Sequence, residues 1–161
     1  MPLIADPMNA LISLQQAVRN GLETHAGEIH HRLSMLLDAP NGEPRYTYAK
    51  IEHGRVKAMA IFALHEPIDG IACFQVGYAV PETYRNRGWA TEIVQQSIEE
   101  MLNGLGRNGV SQFYVEAVVG KDNTASQAVA KKLLSAEGID VIDSESGEPA
   151  VAYKKLFQNE C

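Results

Sequence analysis

Apolar side chains recur every three or four positions in four stretches of the chain, which is the spacing of one helix face. These stretches are the predicted helices, and they span residues 8–22, 27–37, 88–105 and 123–134. The third has the clearest pattern, because its glutamates and glutamines lie outside the apolar stripe. The first two would form a pair of N-terminal helices, with His30 and His31 adjacent in the second.

Other runs are alternating or continuously apolar, and these predict strands. They span residues 45–52, 55–64, 71–80 and 112–119, followed by a hairpin over residues 139–158 that turns near Ser146-Gly147. The segment from Pro67 to Gly70 is expected to form the connection that separates the second strand from the third. The run 71–80 is almost wholly apolar, as is typical of a strand buried on both faces.

This order of elements predicts a fold class. Two helices, three strands, a helix, a strand, a helix and a hairpin give a single α/β domain of the mixed α+β kind. The strand–helix–strand unit around residues 88–105 requires one parallel pair. The sheet is therefore expected to be mixed, mostly antiparallel, with helices on both faces.

Composition and charge narrow the function classes. The chain has 161 residues, enough for one domain, and a formal net charge of −6. An acidic chain lacks the basic footprint of general nucleic-acid binding and favours a cationic partner. No apolar run approaches the about 18 residues that would span a bilayer, so no membrane partner is expected. The N-terminus, MPLIADPMN, does not have the pattern of a signal peptide.

The cysteines indicate a compartment. Cys73 lies in an apolar run and Cys161 is the last residue, so we expect a buried core thiol and a loose terminal one. Neither has the spacing of a metal site or a redox pair. A reducing compartment, the cytoplasm, is expected. The histidines have no partners at ligand spacing, so no metal is predicted.

The segment 80–91 carries the first candidate chemistry. A buried strand ends at Val80, Arg85 and Arg87 follow, and a helix opens at Gly88. Unpaired amides at a helix start, a glycine that allows close approach and two guanidinium groups together form a cradle for phosphate. The segment is neither a Walker loop nor a dinucleotide fingerprint. A merely solvated, arginine-rich turn is the alternative interpretation.

A second segment follows one strand later. Glu116 alternates with Val115 and Ala117, so it points away from them. A carboxylate in an apolar strand is a candidate general base, or else an exposed residue of an edge strand. Asn123 and Ser126 lie at the start of the next helix, where both a capping role and a ligand contact are open.

These residues resemble the GCN5-related N-acetyltransferase (GNAT) family. RNRGWA, residues 85–90, matches the family's pyrophosphate motif R/Q-x-x-G-x-G/A, and Asn123-x-x-Ser126 follows at the family's separation. The amino-acid sequence of these segments is most similar to that of the branch that acetylates ribosomal-protein N-termini. The resemblance covers about residues 45–135.

The resemblance implies roles for this chain's residues. It implies acetyl-CoA as co-substrate, held at a splay between the family's fourth and fifth strands. Glu116 would accept the amine's proton. The implied cofactor-binding residues are Tyr78, Ala79 and Val80 for the acetyl and pantetheine end, Arg85, Asn86, Arg87, Gly88, Trp89, Ala90 and Thr91 for the pyrophosphate, and Asn123 and Ser126 for the pantetheine arm.

The sequence also departs from the family. The tyrosine that many members place seven residues after the asparagine, where it protonates the leaving thiolate, is Ala130 here. Ser126 or Tyr153 would substitute, or the thiolate would leave unassisted. The branch's opening strand is absent. Residues 1–40 are expected to form two helices that shape the acceptor site, ahead of an acyl-CoA-binding core over 45–135 and the hairpin over 139–158.

Two functions are therefore consistent with the sequence. The first is acetyl transfer from acetyl-CoA to a primary amine, such as a protein N-terminus, polyamine or small amine, by direct attack in a ternary complex. The second is a non-catalytic CoA-binding module that senses acyl-CoA or serves as a scaffold, an alternative that rests on Ala130. The sequence leaves a homodimer open.

Overall fold

The computed structural model describes residues 6–144 and 146–159. Within these residues the chain forms three α-helices: α1 (Pro7–Arg19), α2 (Trp89–Arg107) and α3 (Thr124–Leu133). It also forms eight strands: β1 (His25–Ala26), β2 (Leu33–Asp38), β3 (Arg45–Glu52), β4 (Arg55–Ile68), β5 (Ile71–Ala79), β6 (Gln112–Gly120), β7 (Ile139–Ile142) and β8 (Pro149–Gln158).

The strands make one sheet in the order β1-β2-β3-β4-β5-β6-β8-β7. All neighbours pair antiparallel except β5 and β6, which α2 connects and which pair parallel. The predicted fold class, a mixed and mostly antiparallel sheet in a single α+β domain, is confirmed. The parallel pair places the ends of β5 and β6, and the loops that follow them, at the same edge of the sheet.

Helices cover both faces of this sheet. We call the face covered by α1 the α1 face, and there Leu11 and Leu14 pack against Met59 and Ile61. We call the other face the α2 face; its core comprises residues from α2, α3 and the inward side of the strands, among them Phe62, Phe74, Ile93, Val94, Phe113 and Val115. Among the described residues, no helix combines the length and apolar character needed to cross a membrane.

The second predicted N-terminal helix is wrong. Residues 27–32 are loop, and Leu33–Asp38 is strand β2, which pairs with β3 along its whole length. The leucine spacing suits a helix, but a short apolar run does not distinguish a helix from a strand. Pairing with β3 decides it, since Leu33 is buried against the α2-face core while Leu37 remains exposed. Of the segment 1–40, the described part, residues 6–40, therefore supplies one α-helix and two strands instead of two helices.

Two further predictions can be compared with the structure. The second predicted strand is longer than expected, since β4 continues through Pro67 to Ile68. A register shift between His65 and Ile68 interrupts the pairing with β5 there, so Pro67, which has no amide hydrogen, is not required to donate a hydrogen bond to β5. The C-terminal hairpin is confirmed by the antiparallel pairing of β7 with β8. Cys161 lies outside the described residues.

Strands β5 and β6 stay paired over only three rungs, from Cys73 with Tyr114 to Gln75 with Glu116. Beyond that rung, residues 76–79 and 117–120 diverge, and we call this gap the splay. The main chain of β5 that faces the splay therefore lacks a strand partner. Without the two-residue β1 these strands would be fourth and fifth, as the resemblance predicted.

A buried carboxylate attaches the loop before β2 to helix α2. Glu100 is 3% exposed and accepts hydrogen bonds from the amides of Glu28, Ile29 and His30, at 3.0, 2.8 and 2.6 Å. A Cβ at Gly27 would overlap this carboxylate, so glycine is required there for the close approach. One charged side chain therefore satisfies three amides that would otherwise lack a protein acceptor.

We expect Glu100→Gln to lower the free energy of unfolding by about 2–4 kcal/mol, since an amide has one acceptor oxygen and would place its own N–H groups against backbone donors. Glu99 is the matched control, because its carboxylate is exposed and is hydrogen-bonded to the His30 ring rather than to backbone amides. Glu99→Gln should change stability by less than about 0.5 kcal/mol. Urea denaturation of the two variants measures both; equal losses would contradict the assignment.

Candidate functional site

A cleft of about 840 Å³ opens where β5 and β6 diverge. Its walls are the splay, the loop into α2, the first turn of α3 and the start of α1. Every predicted site residue except Tyr153 lines it: Tyr78, Ala79, Val80, Arg85, Asn86, Arg87, Gly88, Trp89, Ala90, Thr91, Glu116, Asn123 and Ser126. Residues from two separate segments of the sequence thus share one cavity.

The start of α2 forms a concave row of backbone amides at one end of the cleft. Gly88 is the N-cap in the left-handed region (φ 77°), and no side chain caps this helix. Asn86 also has positive φ, at 64°. The first helical bond runs from the amide of Glu92 to the carbonyl of Gly88, which leaves the preceding amides directed outward. Such a nest, at the positive end of a 19-residue helix, attracts anions.

Arg85 fastens the loop that holds this nest. Its Nε donates to the carbonyl oxygen of Val80 at 3.0 Å. This bond closes the loop between the end of β5 and the start of α2. The carbonyl of Val80 therefore already has a partner within the protein, while Arg85 as a residue remains exposed.

Trp89 provides an aromatic surface beside the nest. The Arg87 guanidinium carbon lies 5.2 Å from the Trp89 ring centroid, and the Lys50 ammonium lies 4.6 Å from it. Tyr84 packs against the same ring with a centroid distance of 5.8 Å. These contacts are cation–π and aromatic pairs. They gather positive charge around the amide nest of a protein that is acidic overall.

Tyr78 reaches across the splay to α3. Its hydroxyl donates to the carbonyl oxygen of Ser126 at 2.6 Å. Asn123 caps the same helix, since its Oδ1 accepts from the Ser126 amide at 3.1 Å. Burial, and to a smaller extent Tyr153, raises the pKa of Tyr78 well above its usual range. The phenol therefore stays protonated throughout the neutral range.

Glu116 lies at the last paired rung before the splay, on the α1 face. It faces Gln75 of β5, whose Nε2 donates to Glu116 Oε1 at 3.5 Å. Strand β6 lies between β5 and β8, so the interpretation of Glu116 as an edge-strand residue is wrong. The half-buried carboxylate instead projects into the cleft.

Cys73 lies on β5, two rungs before the pair of Gln75 with Glu116. It is 1% exposed and is not among the residues that line the cleft. Burial, followed by the negative charge of Glu116, raises the pKa of the thiol to about 11. The sulfur is therefore a neutral core atom at physiological pH, which does not suit a nucleophile.

The structure does not bring Tyr153 to the cleft. Its side chain is 2% exposed, belongs to the α2-face core and does not line the cavity. The alternation along β8 places it opposite Ala117, on the face away from Glu116. Ala130 is 1% exposed in the same core. Of the two residues predicted to replace the family's tyrosine, only Ser126 borders the cleft.

Several cleft residues were not predicted from the sequence. Gln75 was the polar exception in the apolar run 71–80, a signal that could have identified it. His65 lies on the part of β4 beyond its predicted end. Asp6 and Met8 come from the start of α1, and only the tertiary fold brings them here.

Within residues 6–144 and 146–159, no three histidine, cysteine or acidic side chains come close enough together to hold a metal ion. The polar groups that line the cleft include amides, hydroxyls, guanidinium groups, the His65 imidazole and separate carboxylates.

Comparison with known proteins identifies the family. A family model described as an acetyltransferase (GNAT) domain matches residues 6–133. No curated protein matches the sequence.

Solved structures with the same fold include three acetyltransferases. One is RimL, a ribosomal L7/L12 alpha-N-protein acetyltransferase in complex with coenzyme A, at 17% identity and TM-score 0.50, covering 69% of this chain and 61% of that chain. A GNAT-family acetyltransferase from Streptococcus pneumoniae has 13% identity and TM-score 0.52, covering 94% and 95%. An aminoglycoside N(6')acetyltransferase from Legionella pneumophila has 15% identity and TM-score 0.52, covering 72% and 66%.

At these identities the likeness concerns the fold, and the chain spans under two thirds of the length of RimL. The family model, by contrast, covers most of the sequence, from the N-cap of α1 to the end of α3. The protein therefore belongs to the GNAT family of acetyltransferases.

Proposed function

We propose that this protein transfers an acetyl group from acetyl-CoA to a primary amine, by direct attack of the amine within a ternary complex. The observation that carries the proposal is the joint position of two features in one cleft. The uncapped amide nest at Gly88 lies at one end, and the Glu116 carboxylate lies at the inner end of the splay.

The residues of the nest suit a diphosphate. The amides of residues 88–91 and the positive end of α2 would hold the two phosphates, with Arg85 and Arg87 beside them. Gly88 presents no side chain, and a Cβ there would meet nothing within 4 Å, so the surface is open to a ligand. The main chain of Tyr78 and Ala79 at the splay, the adjoining Val80, and Asn123 across the splay would hold the pantetheine arm.

Glu116 is the proposed general base. Bound acetyl-CoA would supply the thioester carbonyl at the inner end of the splay, where Glu116 faces the cleft. The carboxylate would take a proton from the substrate ammonium before attack, or from the amine nitrogen as its bond to the carbonyl carbon forms, directly or through one water. Gln75 would hold the carboxylate in place through its hydrogen bond.

The acceptor side of the cleft favours a cation. Asp6 and Glu116 are carboxylates on this lining, beside the half-buried apolar surface of Val118, Val141 and Ala152. The net charge of −6 adds long-range attraction for a protonated amine. A protein N-terminus, a polyamine and a small amine all have this chemistry. RimL and the aminoglycoside enzyme with the same fold bear names that indicate two such classes.

One observation favours a second candidate, a CoA-binding module without catalysis. Ala130 occupies the position of the family's proton donor and is packed in the core. A protein that lacked any donor to the leaving sulfur would retain the cleft and bind CoA, yet transfer acetyl groups very slowly.

A thiol-release assay with a panel of amines tests the proposal. Acetyl-CoA is incubated with the protein and with peptides bearing free N-termini, polyamines or aminoglycosides, and free CoA is measured with a thiol reagent. Calorimetry with CoA runs in parallel. Thiol release that depends on one amine class supports the enzyme. CoA binding without release for any amine supports the module, and absence of CoA binding contradicts both.

A further inference from the structure

Tyr78 lies on β5 beside the splay, the gap through which the α1 face and the α2 face of the sheet are connected. Residues alternate along β5, so the Tyr78 side chain projects to the α2 face, while Gln75 projects to the α1 face with Glu116. The phenol hydroxyl ends 2.6 Å from the carbonyl oxygen of Ser126, in the first turn of α3. It thus crosses the gap in which the thioester would lie, opposite the carboxylate.

This placement matches the geometry of the proposed reaction, on which the inference rests. An amine deprotonated by Glu116 approaches the carbonyl from the α1 face. The sulfur that leaves must separate on another side of the same carbon, and the groups available there belong to the α2 face. Of the hydroxyls predicted to assist it, Tyr153 is buried in the core. Ser126 and Tyr78 both border the cleft.

We propose that the Tyr78 side chain donates a hydrogen bond to the thioester sulfur as the carbon–sulfur bond breaks, and so replaces the donor that Ala130 lacks. The amine nitrogen forms the new bond to the carbonyl carbon, and the electron pair of the carbon–sulfur bond goes to sulfur. The amine's proton leaves through Glu116 to water. The thiolate, held by the phenol O–H, takes its proton from water after release.

The phenol donates without giving up its proton. Burial raises the pKa of Tyr78 far above its ordinary value, so the phenol is a weaker acid than a thiol and keeps its hydrogen. Redirecting the hydroxyl toward sulfur leaves no orphan at its present acceptor. The carbonyl of Ser126 lies inside α3, where the i+4 amide is its regular partner.

The test measures the acidity of the bound thiol, which requires no acceptor amine. Thiolate absorbance of protein-bound CoA is titrated in the ultraviolet, with desulfo-CoA as the blank that removes tyrosine absorbance. In Tyr78→Phe the bound thiol's pKa should rise by roughly 1–2 units relative to the unaltered protein, since a hydrogen bond to a charged group is lost. Tyr46→Phe, an aromatic outside the cleft, is the matched control and should leave the thiol pKa unchanged.

A kinetic arm accompanies the titration. With an amine found in the thiol-release assay, Tyr78→Phe should reduce kcat by roughly 10–100-fold while the Kd for CoA changes less than about twofold. An unchanged thiol pKa in Tyr78→Phe overturns the inference. So does a shift in Ser126→Ala that Tyr78→Phe lacks, because Ser126 would then be the donor.

The two hypotheses fail in different ways. If no amine is acetylated but Tyr78→Phe still raises the bound thiol's pKa, the proposed function is wrong and the tyrosine–sulfur contact stands. If amines are acetylated and the thiol pKa does not move, the enzyme stands and Tyr78 has no part in sulfur departure. If the protein does not bind CoA, both are wrong.

Discussion

Glu116→Gln should lower kcat by roughly 10²–10⁴-fold while the affinity for CoA stays within about twofold. Glutamine keeps the shape of the side chain and an oxygen that can still accept from Gln75. It cannot accept a proton from the amine. The loss should therefore appear in the chemical step, and single-turnover kinetics at saturating acetyl-CoA and amine would measure it.

The control for this variant removes an equal charge elsewhere. Glu43 is exposed in the loop before β3 and does not line the cleft, so Glu43→Gln changes the net charge equally without touching the site. Its kcat should match that of the unaltered protein. If Glu116→Gln retains full turnover at saturating amine, Glu116 is not the base. An increase in the KM for the amine, with kcat unchanged, would instead make Glu116 an acceptor-binding residue.

Gly88→Glu should weaken CoA binding by roughly 100-fold or more. The substitution places a negative charge at the mouth of the amide nest, where an anion is otherwise favoured by the helix and by the arginines. Repulsion from a diphosphate at short range and the loss of that attraction together amount to about 3 kcal/mol. Isothermal calorimetry with CoA would measure the change.

Backbone strain must be separated from charge in this variant, because any side chain at φ 77° is unfavourable. Gly70 offers a matched position: it has φ 78°, a Cβ there also meets nothing within 4 Å, and it lies in the turn between β4 and β5, outside the cleft. Gly70→Glu should lose similar stability yet bind CoA normally. Equal affinity losses in the two variants would show that the nest does not hold the phosphates.

The start of α2 and the start of α3 could be predicted from the sequence, because their signals are local. A loop rich in arginine and glycine before a strongly patterned helix specifies the amide nest almost by itself. Asn123 was likewise expected to start α3, and it is the N-cap. These features depend on neighbours within a few positions, which are visible in the chain.

The proposed acceptor side could not be predicted in the same way. Asp6, His65, Gln75 and Glu116 come from four separate elements, and only the pairing of the strands and the docking of α1 bring them to one lining. Tyr153 failed as a candidate for a related reason. Its position in the chain does not reveal which face of β8 it takes, and the register with β6 turns it into the core.

The misread segment 27–37 has the same origin. Its leucines at helical spacing are compatible with two structures, and the choice is made by partners far along the chain. The buried carboxylate of Glu100 is one of these partners, yet in the sequence it is simply one of two adjacent glutamates in α2. Periodicity marks which residues are apolar, but it does not indicate which distant group fixes a loop.

The bond between that loop and α2 joins residues 70 to 72 positions apart. On the ribosome, elongation at 5–20 residues per second means that residue 100 emerges roughly 4–14 seconds after residue 30. Until then, the amides of residues 28–30 have only water as an acceptor. The loop at residues 28–30 is thus synthesised well before its acceptor, and a nascent chain arrested before residue 100 would keep this loop accessible to proteases.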